Sequence, residues 1–226
     1  VTGLIDFTNR AKKAAIQPII GCRLRLVDDP KWKKPKGEKQ KTPPEYYLTY
    51  YVLSEKGLKA LFKLLTLANS DERFYFTPKL GFDDLYKALK DLTSDDVAIA
   101  SSDVYSVLHH ADAQNILQTI VDAVSASNVF LTLTPINSPL WDTLNKKAIA
   151  MCTALGVQPL VTRPACYDVD EADAGAVMLA VTGNVRIEDP WHKSLYWRDL
   201  HPKGLLDFKQ DVVEAAVRLK ARGVTN

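Results

Sequence analysis

Four histidines, three cysteines and a run of lysines are the side chains best suited to chemistry, and their spacing limits what they can do. His109 and His110 are neighbours, His192 and His201 lie far down the chain, and none has a ligand-spaced partner. Helix-surface or loop positions are the expectation for all four. Cys22, Cys152 and Cys166 are scattered with no CxxC pair, which argues against a zinc knuckle and against a disulfide framework. The default compartment is therefore reducing and cytoplasmic. Cys166 has no histidine near it in sequence and reads as a small buried hydrophobe rather than a nucleophile. Asp95, Asp96 and Asp103 suit turns and caps. Gly-rich phosphate loops and the GxSxG elbow are absent from the sequence.

The lysines carry the one sharp alternative. Residues 28–45, "DDPKWKKPKGEKQKTPPE", hold six Lys and four Pro with almost nothing apolar, the pattern of a solvated hairpin tip or a disordered insertion. Lys31, Lys33, Lys34 and Lys36 stand around Trp32, with Lys39 and Lys41 following, and a basic segment with one aromatic can grip a nucleic-acid backbone. A charge run is also the ordinary make-up of a solvated loop.

Those side chains need a frame. The chain has 226 residues, 46% of them hydrophobic and 25% charged, with a net charge of +2. That suffices for one sizeable core, and the balanced charge names no partner. No apolar run reaches the ~18 residues of a membrane span. The opening "VTGLIDFTNRAKKAAIQP" is too interrupted by charge for a signal peptide. It starts at Val1 and passes straight into a helix, so an ordered fragment of something longer is expected.

Helical spacing predicts a helix over 4–15, capped by Thr2, with Leu4, Phe7, Ala11, Ala14 and Ala15 on its inner face. A buried strand over 18–27 follows, then the Lys-rich tip, an aromatic strand over 46–54 and a helix capped by Ser54. "RFYFTP" and "DDVAIASSD" read as short strands around a helix near 82–92. A helix over 112–124 leads to a strand at 128–135, then to a helix ended by Gly156 and a strand "VQPLVTRP". A helix starting at Asp168 or Asp170 and a closing helix from about Pro202 complete the pattern. Strand–helix alternation argues for an α/β fold with a mostly parallel sheet.

Three collinear blocks resemble one family. "GLIDFTNRAKKAAIQPIIGCRL", "YLTYYVLSEKGLKALFKLLTLA" and the long stretch from "NVFLTLTPINSPLW" through "ALGVQPLVTRPACYD" to "IEDP" look like the PHP (polymerase and histidinol phosphatase) domain of bacterial DNA polymerase III alpha subunits. The resemblance implies a distorted β/α barrel, seven-stranded and TIM-like, over 1–226, with its first strands missing at the N-terminus. It makes 28–45 an insertion and 191–226 a tail leading toward a polymerase core. In the family the strand ends converge on His, Asp and Glu ligands that hold several metal ions for phosphoester hydrolysis.

Position by position, the resemblance turns against that chemistry. The family's Glu after Gly-Cys falls on Arg23, the His opening the second block on Tyr47, and the His after the following YLEL strand on Ile136. The last Asp and His fall on Pro164 and Cys166. A guanidinium repels a cation, a neutral phenol ligates poorly, isoleucine and proline side chains do not ligate, and a lone soft thiolate does not suit hard cations. The expectation is a domain without catalytic residues, metal or cofactor, acting as a structural and docking module for a polymerase core or a proofreading exonuclease subunit. The alternatives are a metal-dependent phosphoesterase or 3′–5′ exonuclease with an unusual ligand set, and a DNA-binding accessory protein using the Lys-rich loop.

Overall fold

The computed structural model describes residues 3–34, 42–102, 104–164 and 205–224, together with single positions at 174, 177, 178, 181 and 186. Six strands form one sheet: β1 (Gly21–Val27), β2 (Tyr46–Val52), β3 (Leu80–Gly81), β4 (Val97–Ala100), β5 (Val129–Leu133) and β6 (Gln158–Val161), in the order β3-β1-β2-β4-β5-β6. The helices whose bounds fall among the described residues are α1 (Leu4–Lys13), α2 (Glu55–Ala68), α3 (Phe82–Leu89), α4 (Ala113–Val124), α5 (Pro139–Leu155) and α6 (Leu205–Ala221). β1–β3, β4–β5 and β5–β6 pair in parallel, and β2 alone runs against its neighbours. The α/β class and the mostly parallel sheet expected from the sequence are present. Among the described residues the sheet has β3 and β6 at its two ends, unpaired with each other.

One face of the sheet makes the core because side chains alternate along a strand. Leu24, Leu26, Leu48, Tyr50, Ile99, Val129 and Leu131 point to that face and pack with Leu61, Leu64, Leu85, Leu117 and Ile120 of the helices. The opposite face carries Arg23, Arg25, Tyr47 and Thr49, which the register of the β1–β2 ladder sets side by side. β1 and β2 form an antiparallel pair with Leu26 opposite Tyr46, so the Lys-rich segment joins two adjacent antiparallel strands.

Two helix ends behave as their sequences predict. Ser54 Oγ accepts the Gly57 N–H (3.1 Å) at the start of α2, and Gly156 adopts φ 65° at the end of α5. The first helix differs. Its cap position is Gly3, in a left-handed conformation, and no residue of α1 is buried, so the face read from Leu4 to Ala15 is not a core face. "RFYFTP" also differs, for it holds only an isolated Tyr75–Thr77 bridge, and the strand lies beyond it at Leu80–Gly81. Phe76 takes φ 61°, which breaks the extended backbone that its β-forming neighbours would otherwise continue.

Asp96, in the turn before β4, ties α2 to the sheet. It accepts hydrogen bonds from Ser54 Oγ (2.6 Å), the Thr93 N–H (3.0 Å) and Thr93 Oγ1 (3.2 Å), with Lys56 Nζ at 3.6 Å. The Ser54 hydroxyl above all holds its carboxyl below the usual aspartate value. A carboxyl lowered on folding adds stability that is present above its unfolded pKa, about 3.9, and is lost as pH falls through the folded value. In thermal melts, Asp96→Asn should therefore be less stable than the parent chain at pH 7, with the gap narrowing as the pH drops below about 4. A gap that stays constant down to low pH would exclude the charged form as its source.

The last helix is tied to α5 and to the residues past β6 by Asp211 in its second turn and by Arg218 and Arg222 near its C-terminus. Arg163, just past β6, donates to Asp211 Oδ2 at 2.7 Å, and Arg222 donates to Asp142 in the first turn of α5. Arg218 Nη2 stands 4.0 Å from the other Asp142 oxygen. Between these two anchors lies an apolar cleft of about 650 Å³, with Leu133, Ile149 and Val161 on one side and Val212, Ala215 and Leu219 on the other. No described helix is long and apolar enough to cross a membrane.

Candidate functional site

In a mostly parallel sheet, site chemistry collects at the carboxyl ends of the strands. β2 runs in reverse, so its first residues share that edge with the ends of β1, β4, β5 and β6. Arg23 faces Thr49 across the ladder, and Tyr47 stands two residues along on the same face. The Arg23 guanidinium carbon lies 4.2 Å from the centre of the Tyr47 ring, in cation–π contact. The Tyr47 N–H donates to the Tyr105 carbonyl (2.8 Å), and the two rings are 6.0 Å apart. Arg25, on the same face, is ion-paired with Glu45. Two of the positions singled out from the sequence are thus brought together, and they engage each other.

The tips of β4 and β5 are stitched by neutral groups. Ser101 Oγ accepts the Thr132 N–H (2.9 Å), and Ser106 Oγ donates to the Ser101 carbonyl (2.5 Å). Asn145 in α5 caps the end of β5, since its side chain accepts from the Thr134 N–H and donates to the Thr134 carbonyl, both at 2.9 Å. These groups leave a cavity of about 10 Å³ beside Ser102, Thr132 and Trp141, room for about one water. Ile136 is 1% exposed and lies in a small apolar cluster with Trp141 and Leu144, apart from Arg23 and Tyr47. Pro164 is half-buried past β6. Cys166 and Asp103 lie outside the described residues.

A guanidinium, a phenol, an isoleucine and a proline offer no carboxylate or imidazole to a cluster of hard divalent cations, so the donors at these positions do not fit one. Among the described residues, no three His, Cys, Asp or Glu gather closely enough to hold a metal ion. His110 Nε2 is 2.9 Å from Asp28 Oδ1, its Nδ1 accepts the Asp112 N–H (2.8 Å), and its ring packs edge-on to Tyr46 and Phe82. It is a pin between the end of β1 and the start of α4. Burial pulls His109 below the usual imidazole value. His192 and His201 lie outside the described residues. Burial pushes the Cys152 thiol up to about 11 and raises Cys22, so neither is a ready thiolate.

The described lysines of this segment lie at the surface, and two of them touch a neighbouring segment. Lys31 Nζ pairs with Glu72 at 2.8 Å, and Lys33 Nζ donates to the Asp71 carbonyl at 2.8 Å. Both hold the segment after α2. Lys34 is exposed, and Lys36 lies outside the described residues.

The PHP domain family matches residues 1–135, more than half of the chain. The chain belongs to the PHP domain family. Over 182 residues it is 31% identical to the DNA polymerase III subunit alpha of Yersinia pestis, an alignment that covers 76% of this chain and 15% of that protein. It is 29% identical over 176 residues to the DNA polymerase III subunit alpha of Borreliella burgdorferi, covering 77% of this chain and 15% of that one. The chain thus spans about 15% of the length of the curated relatives it matches. The resemblance drawn from three sequence blocks is correct at the level of the family and of its polymerase-linked branch.

The Arg23–Tyr47 contact rests on the register of the β1–β2 ladder, which sets these two side chains on one face. Asn145, Ser101 and Ser106 carry no sequence signal, because they act through backbone groups that only the fold brings near.

Proposed function

We propose that this chain is the PHP domain of a replicative DNA polymerase of the DNA polymerase III alpha type. On this reading the sheet is the greater part of a distorted seven-stranded β/α barrel formed by residues 1–226, with 28–45 as an insertion and 191–226 leading toward a polymerase core. The domain has lost its metal ligands and acts in the cytoplasm, without a cofactor, as a structural and docking module for a polymerase core or proofreading exonuclease subunit. The observation that carries the reading is Arg23 lying 4.2 Å over Tyr47, at two positions where the resembled family places a Glu and a His. A fixed positive charge on the face where cations would have to gather supports the reading, since it repels them and offers no ligand.

The experiment is metal analysis of the purified chain with an assay on a nitrophenyl phosphodiester. The expected result is no stoichiometric zinc, manganese or iron and no turnover when these ions are supplied. Stoichiometric metal together with hydrolysis would overturn the reading in favour of a phosphoesterase or 3′–5′ exonuclease.

A further inference from the structure

The segment between α2 and β3, residues 70–79, is held more firmly than a connecting loop requires. The Arg73 guanidinium grips both oxygens of Asp84 in α3, at 2.6 and 3.0 Å, and the two side chains are only 14% and 9% exposed. Lys79 Nζ donates to the Trp32 carbonyl (2.9 Å) and lies 5.5 Å from the Trp32 ring and 5.1 Å from the Tyr75 ring. Those two rings meet edge-on at 6.1 Å. Lys31 and Lys33 clasp the same segment at Glu72 and Asp71.

What this framework presents is Phe76. Its side chain meets Tyr75 edge-on at 4.7 Å, yet the residue is 82% exposed, and Phe74 beside it is 43% exposed. Its φ of 61° is a left-handed conformation that a glycine would adopt without strain. A bulky aromatic in strained backbone, turned to solvent at the tip of an anchored loop, contributes nothing to the core. Two cations of the β1–β2 connection, Lys31 and Lys33, reach the same loop at Glu72 and Asp71, and Lys34 follows them in sequence and is exposed. The clasps made by Lys31 and Lys33 are surface contacts; the Lys31 and Glu72 side chains are 63% and 69% exposed. An exposed ion pair such as Lys31–Glu72 is worth little, and Lys33 meets only a neutral carbonyl, so the firm anchoring of the loop comes from Arg73 and Lys79 and these two ammonium groups remain available to an anion.

We propose that the 70–79 loop and the hairpin residues Lys31, Lys33 and Lys34 together form a binding site for single-stranded nucleic acid, with Phe76 as the stacking platform for a base. Rings that accept any base face, flanked by cations that follow the phosphates, are the two parts such sites share. An apolar pocket on a protein partner would accommodate Phe76 but has no call for the lysines. The site uses none of the positions discussed for metal, so it stands or falls separately from the proposed loss of the metal site.

The test is fluorescence anisotropy of a labelled oligothymidine of roughly 20 nucleotides, long enough for one such site. Salt would be varied between about 50 and 200 mM. The parent chain is expected to bind, with affinity falling as salt rises. Phe76→Ala should weaken binding about tenfold with the salt slope unchanged, and Phe76→Trp should restore it. Phe76→Gly should weaken binding as much while raising the melting temperature, because it relieves the strain, and this separates a ligand role from a structural one. Lys33→Ala with Lys34→Ala should flatten the slope by about 0.7 for each lysine. No binding by the parent chain at the lowest salt, or equal binding by the parent and Phe76→Ala, would overturn the proposal. The second result would leave Phe76 as the contact for a protein.

Discussion

Gly57→Ala lowers the stability of this fold by about 3–4 kcal/mol, although alanine favours a helix over glycine by about 1 kcal/mol. The methyl group would sit 2.0 Å from the Asp96 carbonyl oxygen and 3.0 Å from its carbon. Neither side can give way. The Asp96 carbonyl accepts the Leu53 N–H at 3.0 Å, and its side chain is tied to Ser54 and Thr93. The Gly57 N–H donates to Ser54 Oγ, while the Gly57 carbonyl accepts the hydroxyl of Tyr50, a fully buried residue, at 2.9 Å. Burial holds that phenol un-ionised, pushing its pKa up to about 12, so the bond persists across the working pH range. To admit the methyl, α2 must slide off the turn before β4 and break this set together. Urea denaturation followed by circular dichroism measures the loss. A midpoint equal to or above that of the parent chain would show that the helix relaxes without cost.

Asp142→Ala is expected to release α6. The Asp142 side chain is 2% exposed and faces Arg222 and Arg218 of that helix. Removing the buried carboxylate costs about 1–3 kcal/mol, less than for a fully buried pair because Arg222 is 46% exposed and keeps its water. Here the cost falls mainly on one element. Across the apolar cleft α6 buries little beyond Ala215 and Leu219, so these charged anchors carry much of its attachment. Hydrogen exchange should show the amides of 205–221 losing protection while β4 and β5 keep theirs. Adding Arg222→Leu to Asp142→Ala should recover part of the loss by removing the unpaired cation. Unchanged protection in α6 would sink the prediction.

The parts of the fold that could be read from the sequence are those where local signals agree with the tertiary outcome. Ser54 before an apolar-periodic run, Gly156 after one, and the β-branched and aromatic runs of β2 and β5 each specify an element almost alone. The composition of 28–45 left a hairpin tip and a disordered insertion both open, and residues 35–41 lie outside the described residues. The failures have physical causes. "RFYFTP" has strand residues, yet Arg73 is drawn to Asp84 and Phe76 turns left-handed, so pairing stops at a single bridge. α1 has the periodicity of a core-facing helix but buries none of its residues. At the candidate site, residue types alone argued against cation ligation, whereas the stacking of Arg23 on Tyr47 needed the strand register. The use of Lys33 needed a partner 38 positions away, which no local pattern reveals.

The reversed course of β2 has a consequence for how this architecture can change. Leu26 and Tyr46 face each other across the ladder, so the ends to be joined lie only about 5 Å apart. A connection across so short a gap can be two residues or twenty without moving either strand, and its closure entropy grows only slowly with length. The parallel crossovers lack this freedom, because each must carry the chain back over the whole sheet. The β1–β2 joint is therefore the position at which the domain can gain or lose sequence while its register is preserved, and new surface can be tried there without risk to the core.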